Sequence, residues 1–150
     1  MSPMAPADPF RDTLRITSET EHLATVREFF QRCLGRARLP QPDVNKVVLA
    51  IDEATANIIK HAYDGQPGRE ILFEFECDGE RLAVTVTDHG KGFDPGRIKD
   101  PDMAAHVRAG RKSGLGIFLM RQVMDEVNYT FREGVPNRLR LVKYLTPKAG

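Results

Sequence analysis

The sequence lacks an excess of charge of either sign, and it contains only two cysteines. Its 150 residues include 22 lysines and arginines against 21 aspartates and glutamates, so the formal net charge is +1. Binding to nucleic acid is typical of chains with a clustered basic surplus, so this balance gives no reason to expect a direct nucleic-acid partner. Cys33 and Cys77 match no metal-binding spacing, which favours reduced core thiols in a reducing compartment.

Long apolar runs are also missing. No stretch approaches the roughly 20 residues that a membrane-spanning helix needs. The N-terminal MSPMAPADPF has no basic segment followed by an apolar run, so it does not resemble a signal peptide. We therefore expect a cytoplasmic protein with no membrane partner. Length and composition predict a single globular domain over residues 10–150, preceded by a disordered N-terminus over residues 1–9.

The chain alternates between strand and helix patterns. FRDTLRIT at Phe10–Thr17 predicts a short strand. Ser18 and Glu21 have capping-box spacing and predict the start of a first helix that closes at Gly35. REILFEFEC and RLAVTVTD, separated by DGE, predict a hairpin, and NYTFRE with RLRLVKYL predicts a second, closing hairpin.

The strongest helical pattern is QPDVNKVVLAIDEATANIIKHAY, which carries polar residues beside its apolar face. Its apolar residues recur with helical periodicity and predict a buried stripe: Val44, Val47, Val48, Ile51, Ala54, Thr55, Ile58 and Ala62. Glu53 and Asn57 lie off the centre of that stripe and, four residues apart, share one helix face. Glutamate can accept a proton, and asparagine offers a carbonyl oxygen to a hard cation such as Mg2+. The same spacing alone is also typical of a solvated face. We interpret His61 as a structural residue that bonds a neighbouring loop or strand.

Two glycine-containing segments follow. VTDHGKGFDP ends a strand at Asp88 and continues through His89, which we expect to face solvent, into two glycines that let the backbone pass close to a ligand. An aspartate at a strand end can accept a hydrogen bond from the amino group of a purine. GRKSGLGIFLM opens a helix with two glycines, where backbone N–H groups form an anion site. Each segment alone also fits an ordinary turn or helix cap, but the order of all three motifs favours a nucleotide-binding function.

EATANIIKHAY, VTDHGKGFDP and SGLGIFLMRQVMDEVNY together resemble the N-box and the two glycine boxes of the GHKL, or Bergerat-fold, ATP-binding family. Within that family the chain is similar to the anti-sigma factor serine kinases, roughly over residues 10–145. The resemblance implies an α+β fold: a two-layer α/β sandwich whose mixed, mostly antiparallel sheet is covered on one face by helices.

The resemblance also implies roles for individual residues. Glu53 would be the general base that takes a proton from a substrate serine, and Asn57 would bind the Mg2+ that bridges the phosphates of ATP. Asp88 would bind the adenine amino group, and residues 94–113 would form a lid. The other implied nucleotide-binding residues are Gly90, Gly92, Phe93, Arg111, Lys112, Ser113, Gly114, Leu115, Gly116 and, lining the adenine pocket, Thr130.

Two functions from different classes remain open. In the first, the chain is an ATP-dependent serine protein kinase and anti-sigma factor. It phosphorylates an anti-anti-sigma antagonist, sequesters a sigma factor and forms a homodimer. In the second, it is a non-catalytic nucleotide-binding module that regulates partners by binding only. Lys112 favours the second, because the subgroup is expected to carry an arginine there and lysine cannot hold phosphate bidentately. A detached histidine-kinase domain is disfavoured, since we expect no dimerisation helix pair before Phe10.

Overall fold

The computed structural model of the protein describes residues 9–91, 120–130, 132 and 134–145. Apart from Pro9, the N-terminal segment expected to be disordered lies outside this part. Within these residues, no helix is long and apolar enough to cross a membrane. The elements are β1 (Phe10–Thr17), α1 (Leu23–Arg36), α2 (Gln41–Asn57), β2 (Glu70–Cys77), β3 (Arg81–Asp88), β4 (Glu126–Thr130) and β5 (Asn137–Tyr144), with a 3-10 turn at Thr20–His22 and a π-helical turn at Ile58–Ala62.

The five strands form one sheet in the order β1-β2-β3-β5-β4. All four pairs of neighbouring strands are antiparallel. The two predicted hairpins are confirmed, since β2 pairs with β3 and β4 pairs with β5. At the β2–β3 turn, the carboxylate of Asp78 accepts hydrogen bonds from the backbone N–H groups of Glu80 and Arg81 at 2.9 and 2.8 Å. The Asp78 side chain therefore stabilises the turn that the DGE segment predicts.

The helices cover one face of the sheet. The buried ring of Phe30 on α1 lies 5.7 Å from that of Phe73 and 6.5 Å from that of Phe75, both on β2. An ion pair between Arg27 of α1 and Asp52 of α2, 3.0 Å long, joins the two helices at their outer surface. The predicted two-layer α+β architecture is thereby confirmed.

The predicted capping box at Ser18 is wrong. The hydroxyl of Ser18 donates to the carbonyl oxygen of Gln66 at 2.6 Å and accepts from the backbone N–H of Arg69 at 3.0 Å. It therefore ties the end of β1 to the loop before β2. The helical segment begins instead with the 3-10 turn, whose N-terminal residue makes no side-chain cap. The local spacing predicts a cap, but the Ser18 hydroxyl instead forms hydrogen bonds with residues far away along the chain.

The buried stripe of α2 shifts by one position beyond Thr55. Ile59 and Tyr63 are buried, whereas Ile58 and Ala62, which helical periodicity predicts to be core residues, are only partly buried. The cause is the π-helical turn, in which the N–H of Tyr63 donates to the carbonyl of Ile58, five residues back, at 2.9 Å. A π turn contains one more residue than an α turn, so it rotates every later side chain onto a different face.

Both cysteines are free and buried, as predicted. Burial raises the pKa of the Cys33 thiol from 9.0 to about 11, and the nearby Asp12 carboxylate adds to the rise. The folded protein therefore keeps this proton over a pH range in which the unfolded chain has lost it.

The consequence is a fall in stability at alkaline pH. Between about pH 9 and pH 11 the folded state binds more protons at Cys33 than the unfolded state, so the free energy of unfolding must decrease as pH rises. We expect Cys33 to contribute about 1–3 kcal/mol of this decrease. Urea denaturation across that range, with Cys33→Val as the comparison, measures the contribution. An equally steep decrease in Cys33→Val would contradict the assignment.

Candidate functional site

Asp88 ends β3 on the face of the sheet that the helices cover, and it is buried. Its Oδ1 atom accepts two hydrogen bonds, each 2.9 Å long, from the backbone N–H of Gly90 and from Nδ2 of Asn137. The first closes an Asx turn. The second crosses to β5, where Asn137 is the direct partner of Asp88 in the ladder. Among the described residues no hydrogen bond reaches Oδ2, so this oxygen is available to accept one.

The turn after Asp88 rests on the end of the long helix. The N–H of Lys91 donates to the carbonyl oxygen of Ala62 at 2.8 Å. A Cβ added to Gly90 would lie 2.4 Å from that oxygen and 2.6 Å from its carbon. Glycine is therefore required at position 90, because backbone atoms cannot rotate away as a flexible side chain can. We call residues 88–91 the first-glycine turn.

Tyr63 holds the same turn from a second side. Its buried hydroxyl accepts a hydrogen bond from the N–H of His89 at 2.7 Å and donates to the carbonyl of Glu70 at 2.5 Å. Burial raises the pKa of Tyr63, which keeps the phenol protonated and able to donate. The bridging role predicted for His61 was therefore wrong: His61 is exposed, and the π-helical turn brings Tyr63 inward. His89 is exposed, as predicted.

Glu53 and Asn57 lie one turn apart on the last part of α2, and both are half-buried. Asn57 is the last residue of α2, directly before the π-helical turn. Among the residues that the structure describes, none hydrogen-bonds its side-chain amide, whose carbonyl oxygen could therefore bind a ligand. Both residues are connected to Asp88 through the π-helical turn, whose Ala62 contacts the first-glycine turn.

The available donors suit one kind of metal ion better than others. In the described residues there is no group of three or more His, Cys, Asp or Glu side chains that could hold a metal. A single amide oxygen at Asn57 fits Mg2+, which commonly takes one or two protein ligands and completes its shell with substrate phosphates and water. The site would therefore receive its metal together with a phosphate-bearing ligand.

Thr130 does not join this group. It is exposed near the end of β4 and pairs with Arg138 in the ladder with β5. Because side chains alternate between the faces of a sheet, Thr130 and Arg138 lie on the opposite face from Asn137 and Asp88. That Thr130 lines the adenine pocket stays a prediction, and Asn137 occupies the ladder position beside Asp88.

Asn137 is the residue that sequence reasoning missed. Its only local signal is a polar residue in GVPN, where an apolar β-strand begins. The information that makes it relevant is the adjacency of β3 and β5, which are separated by the whole of β4 and the preceding segment. The other predicted nucleotide-binding residues lie outside the described part of the chain: Gly92, Phe93, Arg111, Lys112, Ser113, Gly114, Leu115, Gly116 and the lid over 94–113.

Two hollows lie on the described part of the structure, one beside these residues and one far from them. One, of about 380 Å³, opens beside the first-glycine turn and is lined by polar side chains that include Arg69 and Lys91. A larger hollow of about 480 Å³ lies at the opposite end of the sheet, near Pro9 and Arg81. It contains none of the predicted site residues. We therefore place the candidate site at the Asp88 end of the sheet on the grounds of chemistry rather than size.

Comparison with known proteins identifies the family of the chain. Residues 16–143 match the family described as histidine kinase-like ATPase domain. The chain is 29% identical to the serine-protein kinase RsbW of Listeria monocytogenes over 140 residues, covering 91% of this chain and 88% of the relative. It is 29% identical to the protein of the same name from Bacillus velezensis over 137 residues, with 88% and 84% covered. The family match confirms the resemblance inferred from the three motifs, and the names of the relatives agree with the predicted kinase class.

The contact between Gly90 and Ala62 leads to a direct test. Gly90→Ala should displace the first-glycine turn from the helix end, break the hydrogen bond from Lys91 and destabilise the protein by about 1–3 kcal/mol. Thermal and urea denaturation measure this loss. Gly35→Ala is the matched control, because a Cβ there meets nothing within 4 Å and alanine favours the surrounding helix. Equal stability of the two variants would show that the turn does not need this close contact.

Proposed function

Because the chain belongs to the histidine kinase-like ATPase domain family, we propose that it is an ATP- and Mg2+-dependent serine protein kinase. The observation that carries the proposal is the junction between the helix of Glu53 and Asn57 and the turn that follows Asp88. That junction consists of the 2.8 Å hydrogen bond from Lys91 to Ala62 and the close approach of Gly90. In this proposal the junction would hold the proton acceptor Glu53, the metal ligand Asn57 and the purine-binding acid Asp88 in one framework.

Asp88 suits the base of the nucleotide. With Oδ1 held by Gly90 and Asn137, Oδ2 can accept a hydrogen bond from the amino group of adenine. Hydrogen bonds to an ionised acceptor are stronger than hydrogen bonds between neutral groups. A ligand without a donor at this position would leave the buried carboxylate unpaired and would bind more weakly. The proposed substrate is therefore an adenine nucleotide.

Glu53 and Asn57 suit the phosphate end. When the serine oxygen attacks the γ-phosphorus, a bond from that oxygen to phosphorus forms, the bond to the ADP oxygen breaks, and the hydroxyl proton passes to Glu53. A general base of this kind contributes typically 10²–10⁴-fold to a rate. Asn57 would hold Mg2+, which neutralises charge on the phosphates when bound. The role of the protein is thus mainly to position groups, and a rigid helix is a suitable support for it.

The identity of the partners is a further part of the proposal. The subgroup features N-x-x-x-H-A-Y and M-D-E-V support an anti-anti-sigma antagonist as the protein that is phosphorylated, and a sigma factor as the protein that is sequestered. A homodimer through β1 and α1 is consistent with β1 lying at one edge of the sheet, where its only described strand partner is β2. A cytoplasmic location fits these partners.

The kinase proposal predicts a separation of binding from transfer at Glu53. Glu53→Gln should reduce transfer of labelled phosphate from ATP to the antagonist by about 10²–10⁴-fold, while nucleotide binding stays within a fewfold. Glu28→Gln, an exposed carboxylate on α1, is the control and should transfer normally. Absence of transfer by the wild-type protein despite tight ATP binding would favour the non-catalytic module, and unchanged transfer by Glu53→Gln would remove Glu53 from the mechanism.

The metal proposal predicts an effect that depends on Mg2+. Asn57→Ala should weaken binding of Mg-ATP and Mg-ADP by about tenfold or more, because the metal would lose its protein ligand. Calorimetric titration with and without Mg2+ measures the difference. Lys60→Ala, on the exposed side of the following turn, should bind as the wild type does. If Mg2+ strengthened binding equally in the Asn57 variant and the wild type, the metal would have other ligands.

A further inference from the structure

We propose that Asn137 is a positioning residue that sets the selectivity of the site for adenine over guanine nucleotides. It acts through Asp88, by fixing which carboxylate oxygen faces the base. This inference rests on the proposed function, since it assumes that the base lies against Asp88. It concerns a residue for which neither the motifs nor the resemblance predicts a role.

The amide of Asn137 is oriented by two acceptors. Its Nδ2 atom lies 2.9 Å from Oδ1 of Asp88 and 2.9 Å from the carbonyl oxygen of Gly90. A side-chain amide nitrogen carries two hydrogens, so each hydrogen has one partner. If the amide turned over, its own oxygen would face a carboxylate oxygen and a carbonyl oxygen, and like partial charges would repel.

This orientation leaves an acceptor unused. Oδ1 of Asn137 is buried, in a residue only 1% exposed, and has no hydrogen-bond partner among the described residues. Buried polar atoms are nearly always paired, and an unpaired one costs stability. A residue that only filled space at the start of β5 would be better apolar. The fold keeps the two bonds made by Nδ2 even though this orientation leaves Oδ1 without a partner in the described part of the chain.

The hydrogen bonds made by Asn137 help to hold the Asp88 carboxylate in one orientation. No ion pair to Asp88 is described, so the neutral donors of Gly90 and Asn137 hold it. Both donors reach the same oxygen, Oδ1, which fixes the rotation of the carboxylate and presents Oδ2 alone. The second hydrogen on Nδ2 binds the carbonyl of Gly90, so Asn137 also sets the position of the other donor. The carboxylate and the first-glycine turn are thus held as one unit.

A fixed acceptor distinguishes the two purines. Adenine carries an amino donor at the position where guanine carries a carbonyl acceptor. A carboxylate oxygen held in place binds the first and repels the second. Without Asn137 the carboxylate can rotate, so ATP loses a well-aligned hydrogen bond, whereas GTP has no such bond to lose. The affinity ratio of the two nucleotides should therefore fall.

Other side chains at position 137 supply fewer donors. Leucine matches asparagine in size but has no hydrogen to donate. Serine has one hydroxyl hydrogen and can satisfy only one of the two acceptors. The expected order of ATP preference is therefore asparagine, then serine, then leucine. A graded order of this kind would not arise if the residue were needed only for folding.

The test is the ratio of dissociation constants for Mg-GTP and Mg-ATP, measured by calorimetry on the full chain. We expect Asn137→Leu to lower this ratio by roughly tenfold to a hundredfold, mainly through weaker ATP binding, and Asn137→Ser to lower it by less. The control is Thr87→Val, which also replaces a buried polar side chain but lies on the opposite face of β3 from Asp88. The control should keep the wild-type ratio.

Two outcomes would overturn the inference. One is a wild-type ratio in both Asn137 variants. The other is an equal loss of ATP and GTP binding in the Asn137 variants, which is the sign of a purely structural role. If Asn137→Leu fails to fold, Asn137→Ser decides between these results on its own. A wild-type protein that binds no ATP overturns the proposed function instead, and this inference falls with it.

Discussion

The hydrogen bond from the N–H of Lys91 to the carbonyl of Ala62 is the interaction on which the arrangement of the site depends. A sheet and a helix layer normally meet through side chains, with a separation that side-chain volumes set. At this point they meet through backbone, because Gly90 has no Cβ to hold them apart. Backbone contacts tolerate much less movement than contacts between flexible side chains. The spacing between the end of α2 and the end of β3 is therefore fixed where the proposed ligand would bridge them.

The surroundings of Asp88 show how the fold keeps a polar group in its interior. A buried carboxylate is unfavourable unless hydrogen bonds replace the water that it has lost. Gly90 supplies one donor from the backbone and Asn137 another from the neighbouring strand. Tyr63 then holds the turn through the N–H of His89. The result is a rigid polar cluster at one end of a sheet whose centre is apolar, which is a suitable arrangement for recognising one edge of a base.

Much of the fold could be predicted from the sequence, because the relevant patterns are local. Period-two alternation predicts β2 and β3, and the motif of Asp88 and Gly90 identifies the end of β3. The close approach of Gly90 to the carbonyl of Ala62 was not predicted, since the sequence indicated an approach to a ligand. The errors have a common cause, which is that local patterns carry no information about distant partners. Ser18 has cap spacing but bonds residues 48 and 51 positions away. Likewise, only the order of the strands shows that Asn137 is the neighbour of Asp88. The change of register after Asn57 comes from a single additional residue in one helical turn, which hydrophobic periodicity does not reveal.

The π-helical turn also fixes the number of residues that must separate Asn57 from Tyr63. Asn57 must finish a regular helix, Ala62 must offer its carbonyl to Lys91, and Tyr63 must point inward towards the sheet. Removing one residue from this interval would restore ordinary α-helical winding and rotate the tyrosine away from the sheet. Adding one residue would rotate the tyrosine past its inward position. Changes in chain length within a family are thus more easily accommodated at the Asp78 turn, at the far end of the sheet, than in these few residues.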